Sequence, residues 1–312
     1  MFISPKGIYG LFRLTNNINT SRNNVPKRIH YKVQRGMNNL IIKKDKQFNI
    51  IPSHIGLRKY ILYYNIVFPE KDMFMPQYTL MPKACGTLSL AFDGASIISE
   101  LWGVSTIPIL LGAEPNSYSV LLLIQLSPYG LYQITRQSQE EFADKRLSLE
   151  DIDNELFNSL HQAFIISKTV TDLVNTCERL LYRRMEKCVV SDAVLLATQV
   201  IADSNGQVQV KEVARHSHYS ERHLNRLFLT QIGMNIKSYA RLTRFDSVLK
   251  HIQKSPCFFA ALSQQAGYFD QAHFDKDFKS ISGITPEIYL KTMSDFYYDG
   301  PEIFNTISSK EE

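Results

Sequence analysis

The chain has 312 residues, enough for about two domains. Hydrophobic residues make up 44% and charged residues 21%, with sixteen Tyr and eighteen Phe, which excludes a wholly disordered or collagen-like chain. The net charge of +5 argues only weakly for an anionic partner. The longest apolar runs, Val120 to Ile124 and Ile107 to Leu111, fall far short of the ~20 residues of a membrane helix, so no membrane partner and a cytoplasmic location are expected.

Residues 1–36 differ in composition from the rest of the chain. They hold seven Lys or Arg, five Asn and no acidic residue, so residues 37–312 carry a net charge of −2. No uninterrupted apolar stretch follows the early charges, which argues against a signal peptide. Residues 1–47 are expected to be a basic, disordered extension. A basic arm lying on a phosphate backbone is a second reading, and a natural start at Met37 is a third.

From residue 48 to about 150 the pattern is strand-like, short apolar or β-branched runs broken by Pro, Gly, Asn and Asp. Strands are expected over residues 61–68, 78–81, 87–92, 97–102, 107–111, 119–126 and 131–134. Asp93-Gly94 between two apolar runs is a specific hairpin signal. Seven runs at this spacing predict a sandwich or small barrel, acting as a sensory or dimerisation domain. Trp102, with Tyr63, Tyr64, Phe68 and Phe92, either lines an apolar ligand pocket or belongs to an ordinary core. After Ser138 the period becomes helical. Ser148-Leu149-Glu150-Asp151 resembles a capping box, and helices are expected over residues 151–167, 170–187 and 193–202. Residues 151–190 form a helical connector, 191–295 an all-helical domain and 296–312 a tail in which Tyr297-Tyr298 pack locally. The fold class is therefore α+β and multidomain. The four cysteines, Cys85, Cys177, Cys188 and Cys257, form no CxxC pair and read as reduced thiols.

The most informative feature is an internal repeat. Residues 224–239 match 274–289 at an offset of fifty: Leu224 with Phe274, Phe228 with Phe278, Gly233 with Gly283, Tyr239 with Tyr289, and between them His223 with His273 and Arg226 with Lys276. One supersecondary unit thus occurs twice. Each copy has a short apolar helix, a tight turn at His218-Tyr219 or Gly267-Tyr268, an N-cap at Ser220 or Asp270, and a second helix ending at glycine. That order is helix, turn, helix, and a linker helix from Asn235 through about Gln253 joins the copies. Nineteen residues give ~28 Å, close to the ~34 Å of one DNA turn. Arg222, Asn225 and Arg226 fall on the outer face of the first unit's second helix; Gln271, His273 and Lys276 are the outward candidates in the second. Arg and Asn can bond guanine and adenine edges in bidentate fashion. A solvated helix face is the plainer explanation, and the repeat weighs against it.

Over residues 195–293 the sequence closely resembles the AraC/XylS family of bacterial transcription regulators. The most specific segment is Gly267-Tyr268-Phe269-Asp270-Gln271-Ala272-His273-Phe274-Asp275-Lys276-Asp277-Phe278-Lys279, followed by Gly283-Ile284-Thr285-Pro286 and Tyr289. The resemblance implies a sequence-specific DNA-binding regulator, an activator, whose groove-reading helices span residues 220–230 and 270–281. It implies double-stranded DNA and RNA polymerase as partners, with a small-molecule effector and a homodimer as further candidates, and it implies no cofactor. His218 stands where the family has a turn Gly, Ser263 replaces a small Ala, Leu290 replaces an Arg, and Asp275 and Asp277 make the second unit acidic. Residues 211–254 carry +6 and residues 256–295 carry −2, so the first unit is expected to supply most of the phosphate-driven affinity. Residues 52–183 also resemble the β-rich N-terminal domain of a subset of these regulators.

The rival class is an enzyme whose N-terminal domain is catalytic and is targeted to DNA by the helical units. No GxGxxG, GxxxxGK[ST], HExxH or GxSxG motif is present. His216-x-His218 lacks the carboxylate or Cys that would complete a metal shell, and Cys85 lies in Lys83-Ala84-Cys85-Gly86, which does not fit an alkyl-accepting cysteine. No catalytic residue and no metal are expected.

Overall fold

The computed structural model describes residues 10–16, 29–35, 43–44, 48–254 and 258–292, with side chains described over 49–252 and 258–291. The C-terminal tail, Cys257 and most of the basic extension lie outside the described residues.

Within the extension, β1 (Gly10–Asn16) and β2 (Ile29–Arg35) pair antiparallel, Leu14 opposite Tyr31 and Phe12 opposite Val33. This departs from the disorder expected there. Residues 29–34 alternate apolar with polar side chains, as do 12–15 within β1, the period that suits a strand.

The N-terminal half is built on one open antiparallel sheet. Its strands are β3 (Lys43–Lys44), β4 (Phe48–Pro52), β5 (Ile61–Val67), β7 (Thr87–Phe92), β8 (Ile97–Trp102), β10 (Val120–Leu126) and β11 (Arg146–Ser148), in the order β11-β8-β7-β10-β5-β4-β3. A two-residue ladder joins β6 (Thr79–Leu80) to β9 (Ile109–Leu110). The expected sandwich or barrel is therefore corrected, because helices cover one face of the sheet. Tyr64, Ile124, Leu88 and Leu101 lie side by side across four strands. They share a core with Leu156, Leu160 and Phe164 of α3 (Asn154–Ile166) and Leu173, Cys177 and Leu181 of α4 (Val170–Met185). Those side chains recur every three or four residues, a helical stripe wide enough to cap a sheet face.

Two local expectations also change. Residues 131–134 form part of a helix, α1 (Gly130–Thr135), and not a strand. Leu131 and Ile134, three apart, share one buried face, and at Gly130 a Cβ would come within 2.6 Å of the Tyr60 carbonyl. Ser148 caps nothing. The helix it precedes, α2 (Leu149–Ile152), stops at Asp153, whose carboxylate accepts the Leu156 N–H at 2.9 Å and starts α3.

The C-terminal half is helical: α5 (Asp192–Asp203), α6 (Val210–His216), α7 (Glu221–Gln231), α8 (Ile236–Lys254), α9 (Phe259–Gln265), α10 (Gln271–Ser282) and α11 (Pro286–Thr292). Their core takes in Met81 and Val104 from the β-rich half, so the two halves share buried apolar surface.

Candidate nucleic-acid interface

The pairs α6–α7 and α9–α10 have the same local construction. Each turns through a left-handed residue, His218 (φ 59°) or Gly267 (φ 74°). His tolerates this conformation better than most side chains. Each second helix starts at a side-chain cap: Ser220 Oγ accepts the His223 N–H at 3.3 Å, and Asp270 Oδ1 accepts the His273 N–H at 2.7 Å. Left-handed Gly233 and Gly283 follow the two helices. Phe228 meets Tyr239 edge-on with ring centroids 5.6 Å apart, and Phe278 meets Tyr289 edge-on at 5.7 Å. The repeat in the sequence is thus a repeat in packing.

The linker helix α8 has its expected nineteen residues, and Asn235 Oδ1 accepts the Ser238 N–H at its start (2.8 Å). On its far side Arg241 Nε donates to Asp277 Oδ1 at 2.7 Å, and Arg241 also bonds Ser280. The Tyr268 hydroxyl donates to the other Asp277 oxygen at 2.8 Å. Burial, and then the Asp277 charge, raise the Tyr268 phenol well above its ordinary range, so it remains a donor.

Residues 213–292 match the family model of a helix-turn-helix domain. Among curated proteins, the chain is 29% identical over 83 residues to the HTH-type transcriptional activator AarP of Providencia stuartii, covering 27% of this chain and 62% of that one. It is 28% identical over 121 residues to the arabinose operon regulatory protein of Escherichia coli K12, covering 36% and 41%. The C-terminal region is an AraC-type helix-turn-helix domain. Over this region the chain is similar to DNA-binding transcription regulators. The chain spans less than two thirds of the length of each of these two relatives. Similar solved structures include the C-terminal domain of AraT, a response regulator from Geobacillus stearothermophilus (21% identity, TM-score 0.32, 35% of this chain and 93% of that one). ToxT from Vibrio cholerae O395 is another (12% identity, TM-score 0.37, 80% and 97%).

Within the helix-turn-helix domain, Ser220, Arg222 and Arg226 are exposed on the first turns of α7, and His273 and Lys276 are exposed on α10. Gln271 is half-buried, and its side chain bonds Asp275 one turn on. Asn225 differs from the expectation of a free base reader. Its Oδ1 accepts the Ile236 N–H at 3.1 Å, fastening α7 to the start of α8. A side-chain stack also stands where sequence pattern predicts none. Tyr219 lies parallel to His223 (5.1 Å, 13°), and Arg226 Nη2 sits 3.3 Å from His223 Nδ1. The match of His223 with His273 at the repeat offset was the available signal. Asp277, expected to weaken phosphate binding, faces Arg241 with its side chain only 15% exposed.

Proposed function

We propose that this chain is a sequence-specific transcription activator whose two helix-turn-helix units read consecutive major-groove segments under the control of the N-terminal half. The carrying observation is the repeated geometry. Two side-chain-capped helices present basic residues at equivalent positions, Arg226 and Lys276, from equally packed Phe–Tyr cores. Double-stranded DNA is the primary partner. An activator role accords with the similarity to the activator AarP and makes RNA polymerase the second partner, with a small-molecule effector and a homodimer as the means of control. A cytoplasmic site of action goes with this reading. Among the described residues no helix is long and apolar enough to cross a membrane.

The enzymatic alternative would need Cys85 as an alkyl acceptor. Burial pushes its thiol up to about 11, and the Gln125 amide donates to its Sγ at 3.2 Å. A nucleophilic cysteine needs the opposite shift.

The test is titration of operator DNA, recovered by selection from random sequence, in gel-shift assays. Arg226→Ala should weaken binding at least tenfold and lower the slope of log affinity against log salt by about 1, the signature of one lost phosphate-type contact. Lys276→Ala, in the −2 unit, should cost under threefold. Equal losses defeat the asymmetry, and no selectable sequence defeats the regulator.

A further inference from the structure

The sheet face turned away from α3 and α4 carries a cavity of about 560 Å³, its open mouth included. Val67, Ala91, Leu121 and Leu123 form its floor, while Phe74 and Tyr78 stand against it from the segment after β5. An apolar floor with a few polar groups converging at one end is the usual make-up of a small-molecule site. Trp102, the single tryptophan of the chain, lines it, whereas Tyr64, Phe68 and Phe92 belong to the core beneath the helices.

One end of the cavity is polar. Arg146 forks onto Glu114 (Nη2 to Oε1 2.8 Å, Nη1 to Oε2 3.1 Å) and also bonds Glu100 Oε2 through Nη2 at 2.8 Å and Nε at 3.2 Å. Its guanidinium lies 4.7 Å from the Trp102 ring centre, and the indole N–H donates to the same Glu100 oxygen at 2.9 Å. One guanidinium therefore faces two carboxylates, leaving one negative charge uncompensated. Glu100 Oε1 has no hydrogen-bond partner among the described residues. Directly across the ladder from Glu100 stands Ser89, a 4% exposed residue on the cavity wall whose hydroxyl likewise has none. Two unfilled acceptors beside a surplus negative charge, at the end of an apolar cavity, suit a donor that is itself positive. An anionic head would meet two carboxylates and find Arg146 already engaged.

We propose that this cavity binds a small molecule with an apolar body and one cationic, hydrogen-bond-donating head, an alkyl or aryl amine held by Glu100 and Ser89. The proposal rests on the regulator reading above, in which the N-terminal half senses an effector, and it supplies that effector's site and chemical class.

Because Trp102 is the sole tryptophan, its emission reports occupancy directly. The full-length protein is titrated with octylamine, octanol and octanoate, chains of equal length with a cationic, a neutral and an anionic head. Octylamine should change the emission saturably, with a half-saturation at least tenfold below that of octanoate, and octanol should fall between. Glu100→Gln should erase the preference. Ser89→Ala leaves the Arg146 ion pairs intact, so it stays informative if Glu100→Gln fails to fold; it should weaken octylamine severalfold while keeping the order. Octanoate binding as tightly as octylamine overturns the proposal, as does the absence of saturation by any of the three. Operator binding is measured on the same preparation. A protein that takes up octylamine yet ignores DNA upholds this site and defeats the regulator reading, whereas one that binds DNA and none of the three probes overturns this site alone.

Discussion

Asn225 shows how a residue of the right type in the right place can do other work. It lies between Arg222 and Arg226 on the helix that the repeat marks out for base contact, and its carboxamide suits adenine. Yet its carbonyl oxygen accepts the Ile236 N–H, one of the unpaired donors at the start of α8. Removing that acceptor leaves a part-buried backbone donor open, at a cost of about 1 kcal/mol. Asn225→Ala should therefore lower folding stability by about that amount, read by urea denaturation, and weaken DNA uniformly without altering the preferred sequence in a binding-site selection. A preference lost at a single base pair would restore Asn225 to the base-reading set and count against its structural role. His223 has the converse profile. Stacked on Tyr219 and within hydrogen-bond distance of Arg226 through its ring Nδ1, it helps set where the Arg226 guanidinium lies, and pattern alone offered only its match with His273 as a clue.

Between elements, the decisive joint is the one that ties the linker helix to the second unit. Arg241 of α8 and Tyr268, just ahead of α10, converge on the Asp277 carboxylate, and Arg244 lays its guanidinium 4.9 Å from the centre of the Tyr268 ring. Two units separated by a helix of ~28 Å can read one site only if the second unit has a defined orientation on that helix. Asp277→Asn removes the charge from this joint. With Arg241 partly exposed, the cost should stay near ~1–2 kcal/mol, within the range for charge-assisted bonds reduced by solvent screening. The expected effect is on spacing. Wild-type protein should discriminate strongly against one base pair inserted between the two half-sites, and Asp277→Asn should discriminate several-fold less. Unchanged discrimination would mean that the joint does not orient the unit. The sequence showed the helices of this half to within a few residues, because caps, glycine stops and apolar periodicity all act locally. It did not show Asp277 pairing with Arg241, thirty-six positions away. The β-rich half was less legible still. Leu131 and Ile134 fit a strand or one helical turn equally, and packing of Gly130 against Tyr60 decides for the helix. The helices α3 and α4 were expected as a connector, yet they supply the layer that a second sheet was predicted to supply.

Across the whole molecule, one segment of chain links the cavity to both helix pairs, α6–α7 and α9–α10. After β8 it places Val104 in the helical core, with a methyl 3.0 Å from where a Cβ would stand on Gly233. Four residues on, a Pro108 ring carbon lies 3.8 Å from the same point on Gly283. Those two glycines occupy equivalent positions, fifty apart, just past the ends of α7 and α10. The segment then continues to Leu111, Glu114, Pro115 and Tyr118 on the cavity wall. A ligand that draws Glu114 or Tyr118 inward thus acts on the segment whose Val104 and Pro108 side chains lie beside the glycines that follow α7 and α10, and close-packed contacts pass displacement on rather than absorb it. Any such coupling is reciprocal, since a ligand that changes DNA affinity by some factor must have its own affinity changed by DNA by the same factor, commonly about 5–150-fold. Octylamine titrations followed at Trp102 should accordingly shift their half-saturation by at least fivefold when operator DNA is present. Pro108→Gly should retain both binding events, since exchange of one half-buried proline outside the helices and strands costs only about 1 kcal/mol, while reducing the shift toward unity. An operator that leaves the half-saturation of the wild-type protein where it was would show that cavity and helices, though joined by one segment, are not coupled through it.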